Sequence, residues 1–212
     1  MNNEKMFDSF LGISTIEEGA EEEAHSIENM EDAENNIYQA TYYQDLITVF
    51  DEIALEPEDT LVDFGCGLGR VLFYCNSRHY CNTIGIEKDA VLYEKLLDNA
   101  KGYQNKFLDQ EQRMLFLNMG AEEYDIRPED NYFYFFNPFS AAIFKKVLYN
   151  IIASVKEHPR DINILLYYPT FEYQREIRNS KLFVQKKMIK LAGYNEDPDE
   201  KVLVYHLSRY FV

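Results

Sequence analysis

Leu61-Val62-Asp63-Phe64-Gly65-Cys66-Gly67-Leu68-Gly69-Arg70 is the stretch that decides the fold. An apolar run of strand length meets three glycines at alternate positions, and Val71 to Asn76 then reads as a helix. Glycines suit such a place because the chain must turn tightly and let a ligand approach the backbone where a Cβ would collide. The N-terminus of the following helix offers unsatisfied N–H groups to a carboxylate or phosphate. A strand, a glycine turn and a helix together describe the first unit of a parallel α/β sheet.

The chain repeats this alternation on the C-terminal side. Thr83 to Glu87 reads as the second strand, Asp89 as the cap of a helix whose Leu92, Leu96, Leu97 and Ala100 share one face, and Met114 to Leu117 as the third strand. Tyr132 to Phe136 is the fourth strand, and Ser140 is expected to cap a long helix with Ile143, Val147, Leu148, Ile151, Ile152 and Val155 on its buried stripe. Ile162 to Tyr168 is the fifth. A helix near Phe171 to Arg178 precedes strands around Phe183 to Ile189 and Val202 to Leu207, with a hairpin between them.

Glu87 closes the second strand 22 residues after Gly65. A carboxylate there can accept hydrogen bonds from both hydroxyls of a ribose, though an acid also ends strands simply as a solvated residue. After the fourth strand comes Phe136-Asn137-Pro138-Phe139-Ser140, at the sheet edge where open α/β folds place their reaction centres. Asn-Pro also ends a strand without any chemistry, and the two readings can hold together.

The motif, an acid followed by a spacer and G-x-G-x-G, resembles the class I S-adenosylmethionine-dependent methyltransferases and differs from the G-x-G-x-x-G of nicotinamide binders. The resemblance spans residues 37 to 212. It implies a Rossmann-like seven-stranded sheet, mostly parallel with an antiparallel last strand and helices on both faces. The cofactor implied is S-adenosyl-L-methionine, contacted by Asp63, Gly65, Cys66, Gly67, Gly69 and Glu87. Asp63 would orient its ammonium group and Glu87 its ribose. Gly120 aligns with the family's adenine-binding acid, which leaves Ala121 and Glu122 as adenine contacts and Ile86 and Met119 as apolar walls.

Asn137, Pro138 and Phe139 look like a shortened Asn-Pro-Pro-aromatic motif of amino-group methyltransferases, which implies a catalytic role and favours a nitrogen acceptor. Combined with Tyr38-Gln39-Ala40-Thr41-Tyr42, the pattern also resembles a bacterial branch related to the non-SET histone-lysine methyltransferases, without transferring a histone substrate. Tyr38 and Tyr42 are the expected substrate contacts within an aromatic gathering that includes Tyr43, Phe136, Phe139, Tyr167, Tyr168 and Phe171. Arg70 stands where it can reach the cofactor carboxylate or bridge to an acid of the N-terminal extension.

Composition narrows the partners. The 212 residues carry 21 basic and 37 acidic side chains, a net charge of −16, and the first 36 residues hold eleven acids against Lys5 alone. Residues 1–36 are therefore read as an acidic extension, a lid or a tail, before a catalytic domain at 37–212. A field of this sign disfavours nucleic acid and favours a protein or small-molecule acceptor. No run approaches membrane-spanning length, and the polar start lacks a secretory pattern, so a cytoplasmic location is expected. Cys66, Cys75 and Cys81 lack paired spacing, and the four histidines join no ligand cluster, so no metal is expected. The competing functions are a noncatalytic cofactor-binding protein that engages a partner, and a nicotinamide-dependent oxidoreductase.

Overall fold

A computed structural model of the chain describes residues 3–16, 38–108 and 110–210. Helix α1 (Asn3–Leu11) and α2 (Tyr43–Glu52) precede strand β1 (Thr60–Phe64), α3 (Arg70–His79), β2 (Asn82–Glu87), α4 (Ala90–Gln104) and β3 (Met114–Asn118). Then follow β4 (Tyr132–Phe135), α5 (Ala141–Glu157), β5 (Ile162–Tyr167), α6 (Phe171–Ser180), β6 (Val184–Lys190) and β7 (Lys201–Leu207). The strands form one seven-stranded sheet in the order β3-β2-β1-β4-β5-β7-β6. β1 to β5 pair in parallel, while β7 runs antiparallel to both β5 and β6. This is the expected sheet.

β1 is buried at all five positions because both of its faces are covered, which is why it reads as a continuous apolar run. Successive side chains feed opposite cores. Leu61, Tyr134, Leu165, Tyr167 and Val202 face a cluster built with α1, α2, α3 and part of α4. Val62, Phe64, Phe133, Phe135, Ile164 and Leu203 face a second cluster with the stripe of α5 and with Tyr173 and Ile177 of α6.

Three local expectations change. The glycine-loop helix runs from Arg70 to His79, longer than its apolar stretch, because Tyr80 ends it in a left-handed conformation. Ser140 stands at the N-cap of α5 with extended backbone, yet its hydroxyl makes no capping bond, whereas Asp89 accepts from the amides of Val91 and Leu92 as expected. The N-terminal extension also divides. Residues 3–16 pack on the domain through buried Leu11 and Ile13 and the stacking of Phe7 on Tyr43 at 4.7 Å. The acidic stretch Glu17 to Asn36, and with it the lid-or-tail reading, lies outside the described residues.

Candidate active site

A cavity of about 780 Å³ opens at the carboxyl ends of β1, β2 and β4, where the strand order reverses about β1. That size suits a small molecule. Gly65 lies in its floor in a left-handed conformation, φ 73°, and a Cβ built there would meet the Pro138 Cβ at 2.3 Å. The glycine is thus what lets the loop after β1 and the loop after β4 touch. Gly67, φ 51°, is excluded from carrying a side chain by the Tyr38 ring, 2.1 Å from its built Cβ.

Glu87 ends β2 on the cavity wall. Its carboxylate accepts from the Gly67 amide and from the Asp89 amide, each at 2.8 Å. It therefore ties the glycine loop to the start of α4. Burial raises its pKa, and the two amide bonds oppose that rise. Asp63 sits one strand over, in register with Gly85 and Tyr134, and burial followed by the nearby Glu87 charge pushes its pKa up to about 8. Such a buried carboxyl is mostly protonated at neutral pH, and a cationic group brought beside it favours its ionised form.

Ile86, Met119, Ala121 and Glu122 form one wall, while Phe136, Pro138, Phe139 and Ile143 close the far end. Asp63, Cys66, Gly67 and Gly69 lie behind this surface and do not line it. The expected adenine string holds together locally, with the Glu123 carboxylate accepting from the Gly120 amide at 2.9 Å and leaving Glu122 to face the cavity. Lys88, Val91, Leu92 and Lys95 also border it, and motif spacing missed them. Their signal is position, since they follow the carboxyl end of β2.

At the acceptor end, Asn137 has a positive φ of 41° and its Nδ2 donates to the Tyr168 carbonyl at 2.6 Å. Tyr168 itself has φ 49°. Two side-chain-bearing residues in this region mark a backbone held by its surroundings. Asn137 does not line the cavity, but its neighbours Phe136, Pro138 and Phe139 do. The Phe139 carbonyl accepts from the buried Tyr173 hydroxyl at 2.5 Å, so α6 holds this loop from outside.

The aromatic gathering is less unified than expected. Phe136 packs edge-on against Tyr167 at 4.5 Å, but Tyr167 donates to Asp45 and Tyr43 to Asp8, both away from the cavity. Tyr38 lines the cavity and donates to the Thr15 carbonyl at 3.0 Å. Tyr42 is 56% exposed and outside the lining. It occupies the position before α2, where its ring points to solvent.

Arg70 takes the second of its two expected roles. Its guanidinium is buried, bonded to the Glu4 carboxylate, to the Thr15 hydroxyl at 2.6 Å and to the Thr41 carbonyl at 3.0 Å, and it lies over the Tyr43 ring. It bridges to the acids of the N-terminal segment and does not face the cavity lining. Among the described residues, no three His, Cys, Asp or Glu side chains gather as a metal site, and no helix is long and apolar enough to cross a membrane.

A model of the family described as histone methylation protein DOT1 matches residues 19–116. An RNA methyltransferase from Salinibacter ruber, solved with S-adenosyl-L-homocysteine, is 18% identical with a TM-score of 0.56, the match covering 80% of this chain and 92% of that one. Human methyltransferase 10 domain containing protein is 11% identical with a TM-score of 0.58, covering 85% of this chain and 92% of that one. TYW2 from P. horikoshii, solved with MeSAdo, is 15% identical with a TM-score of 0.54, covering 80% and 64%. No curated protein matches by sequence. These likenesses fix the fold, and the family match lies over the part of the chain that holds the glycine loop and Glu87.

Proposed function

We propose that this chain, a class I S-adenosylmethionine-dependent methyltransferase by its fold and its glycine-loop half, moves the methyl group to a nitrogen of a protein or small-molecule acceptor in the cytoplasm. The observation that carries the reading is the contact between the two loops. Pro138 of the acceptor loop rests on Gly65 of the cofactor loop, so a donor cradled by one is presented to whatever the other holds. S-adenosyl-L-methionine, when bound, supplies an electrophilic methyl on a sulfonium.

The cradle fits that group. The wall from Gly65 to Glu87 offers a carboxylate for ribose hydroxyls, the buried Asp63 answers an ammonium charge, and Ala121 and Glu122 edge the slot between Ile86 and Met119 for a flat heterocycle. Cys66, Gly67 and Gly69 support this wall from behind. Asn137, anchored by its bond to the Tyr168 carbonyl, holds the loop that orients an N–H of the acceptor. Pro138 fixes a neighbouring carbonyl that accepts a second N–H, and Phe139 excludes water from the end of the cavity. Tyr38, above Gly67, contacts the acceptor side of the mouth.

The chain's work is therefore alignment and exclusion of water rather than strong base catalysis. An amine acceptor arrives with its proton already lost to solvent. The test is methyl transfer from labelled donor into cell fractions, with the product bond identified by mass spectrometry. Asn137→Ala is expected to cut kcat by about 10²-fold, as misplacement of an aligned acceptor does, with cofactor affinity unchanged. Methyl recovered on oxygen or carbon, or an Asn137→Ala enzyme at full speed, refutes the nitrogen reading.

A further inference from the structure

The outer edge of the sheet carries a charge opposite to the rest of the molecule. Residues 171–190, which hold α6 and β6, contain six Lys and Arg against two Glu, in a chain whose net charge is −16. Within this stretch, Arg178, Lys181 and Lys186 are exposed, and among the described residues none of the three meets a carboxylate at ion-pair distance. The Arg178 charge is felt at Tyr205 and the Lys186 charge at His206, consecutive residues of β7 that point to opposite faces. The cations thus flank the sheet edge from both sides.

Among the described residues β6 is the edge strand, and one side of its backbone has no partner strand there. A bulge between Gln185 and Lys187 sets Lys186 out of the ladder, and Lys187 to Lys190 remain in register with β7. Two apolar side chains stand between the cations and are uncovered by any of the described residues, Val184 at 56% and Met188 at 45% exposure. Lysine on an edge strand often serves only to prevent aggregation. Here the opposite edge, β3, reads Met114-Leu115-Phe116-Leu117-Asn118 with no charge at all, so the chain does not use that device generally.

We propose that β6 with the adjoining end of α6 is a docking surface for an extended acidic segment of a partner polypeptide, which adds as a strand along Lys187 to Lys190. Charge complementarity selects acidic over basic or neutral chains and speeds encounter. The free edge selects polypeptide over nucleic acid, because main-chain N–H and C=O groups pair in strand register and a phosphate backbone does not. Val184 and Met188, which the bulge sets on opposite faces of the sheet, then each receive an apolar side chain of the partner from their own face. This surface stands on its own geometry and does not depend on which atom receives the methyl group.

The test uses the full chain and three probes: a capped twelve-residue peptide of alternating Glu and Val, its Lys-Val counterpart, and a twelve-nucleotide oligouridylate. The acidic peptide is expected to bind, to slow amide exchange at residues 184–190, and to weaken at least about tenfold in high salt, where exposed charges are screened. Combined Arg178→Glu, Lys181→Glu and Lys186→Glu changes are expected to abolish that binding while leaving cofactor affinity and thermal midpoint unaltered. Lys186→Gln alone, a milder change, is expected to weaken it. Three results overturn the proposal: no binding of the acidic peptide, binding without protection of residues 184–190, or binding of oligouridylate in preference to the peptide.

Discussion

Replacing Glu4 by Ala probes the junction between the N-terminal helix and the cofactor loop. The Arg70 side chain is 4% exposed and that of Glu4 15%, so their bond is a buried ion pair rather than a surface one. Breaking a buried pair by removing one partner costs about 3–5 kcal/mol, because the remaining charge stays desolvated. Arg70 keeps part of its support in this case: Asp8 at 3.9 Å, the Thr15 hydroxyl, the Thr41 carbonyl and the face of Tyr43. The expected loss is therefore lower, about 2–3 kcal/mol in urea unfolding, or about 4–12 °C in Tm for a domain of this size. Glu4→Gln, which retains an acceptor, should recover a portion. Met6→Ala, on the same helix with a half-exposed side chain, should change stability by less than about 0.5 kcal/mol. Arg70 directly follows Gly69, so cofactor affinity should fall in Glu4→Ala as well. A Glu4→Ala protein within 0.5 kcal/mol of the parent, or one no worse than Met6→Ala, would refute the reasoning.

Glu87→Ala removes the acceptor of the Gly67 and Asp89 amides as well as the proposed ribose partner, and charged hydrogen bonds contribute about 1.5–3 kcal/mol each. Calorimetry should show S-adenosyl-L-methionine bound at least tenfold more weakly, and equal affinity would sink the ribose assignment. Tyr173→Phe strips the buried Phe139 carbonyl of its donor. It should lower kcat without changing cofactor affinity, and a parallel fall in both would mean that the residue serves the fold alone. Burial raises Asp63 from its ordinary 3.8 to about 8, so folding favours the protonated acid. The cofactor-free protein should accordingly lose stability as pH rises through that interval. Asp130, pushed up to about 6 by burial, adds to the loss in the lower part of the window. Urea midpoints at pH 5 and pH 8 should differ less in Asp63→Asn than in the parent, and an unchanged difference would disprove the shift.

Much of the architecture is legible locally because each signal is carried by neighbours in the chain. The apolar run at Thr60 to Phe64, the glycines after it, Asp89 as a cap and Glu87 at a strand end all follow from backbone sterics, burial periodicity and short-range hydrogen bonding. Those features sufficed to place the sheet, the glycine loop and the loop after β4. The less legible parts depend on residues distant in sequence. Arg70 is claimed by Glu4, Gly67 is shaped by Tyr38, Asn137 is held by Tyr168, and the Phe139 carbonyl is held by Tyr173.

Tyr42 illustrates the limit, since the same string that brings Tyr38 to the cavity turns Tyr42 outward just before α2. The sequence by itself determined that strands, glycine turns and helices alternate, and therefore at which sheet edge a cavity is expected. Only the tertiary structure decided which charges are desolvated, which partners meet them, and that residues 3–16 pack on the domain. The physical reason is that local conformation is set by a few consecutive torsions, whereas pairing and ionisation are set by burial, which no short stretch of chain controls.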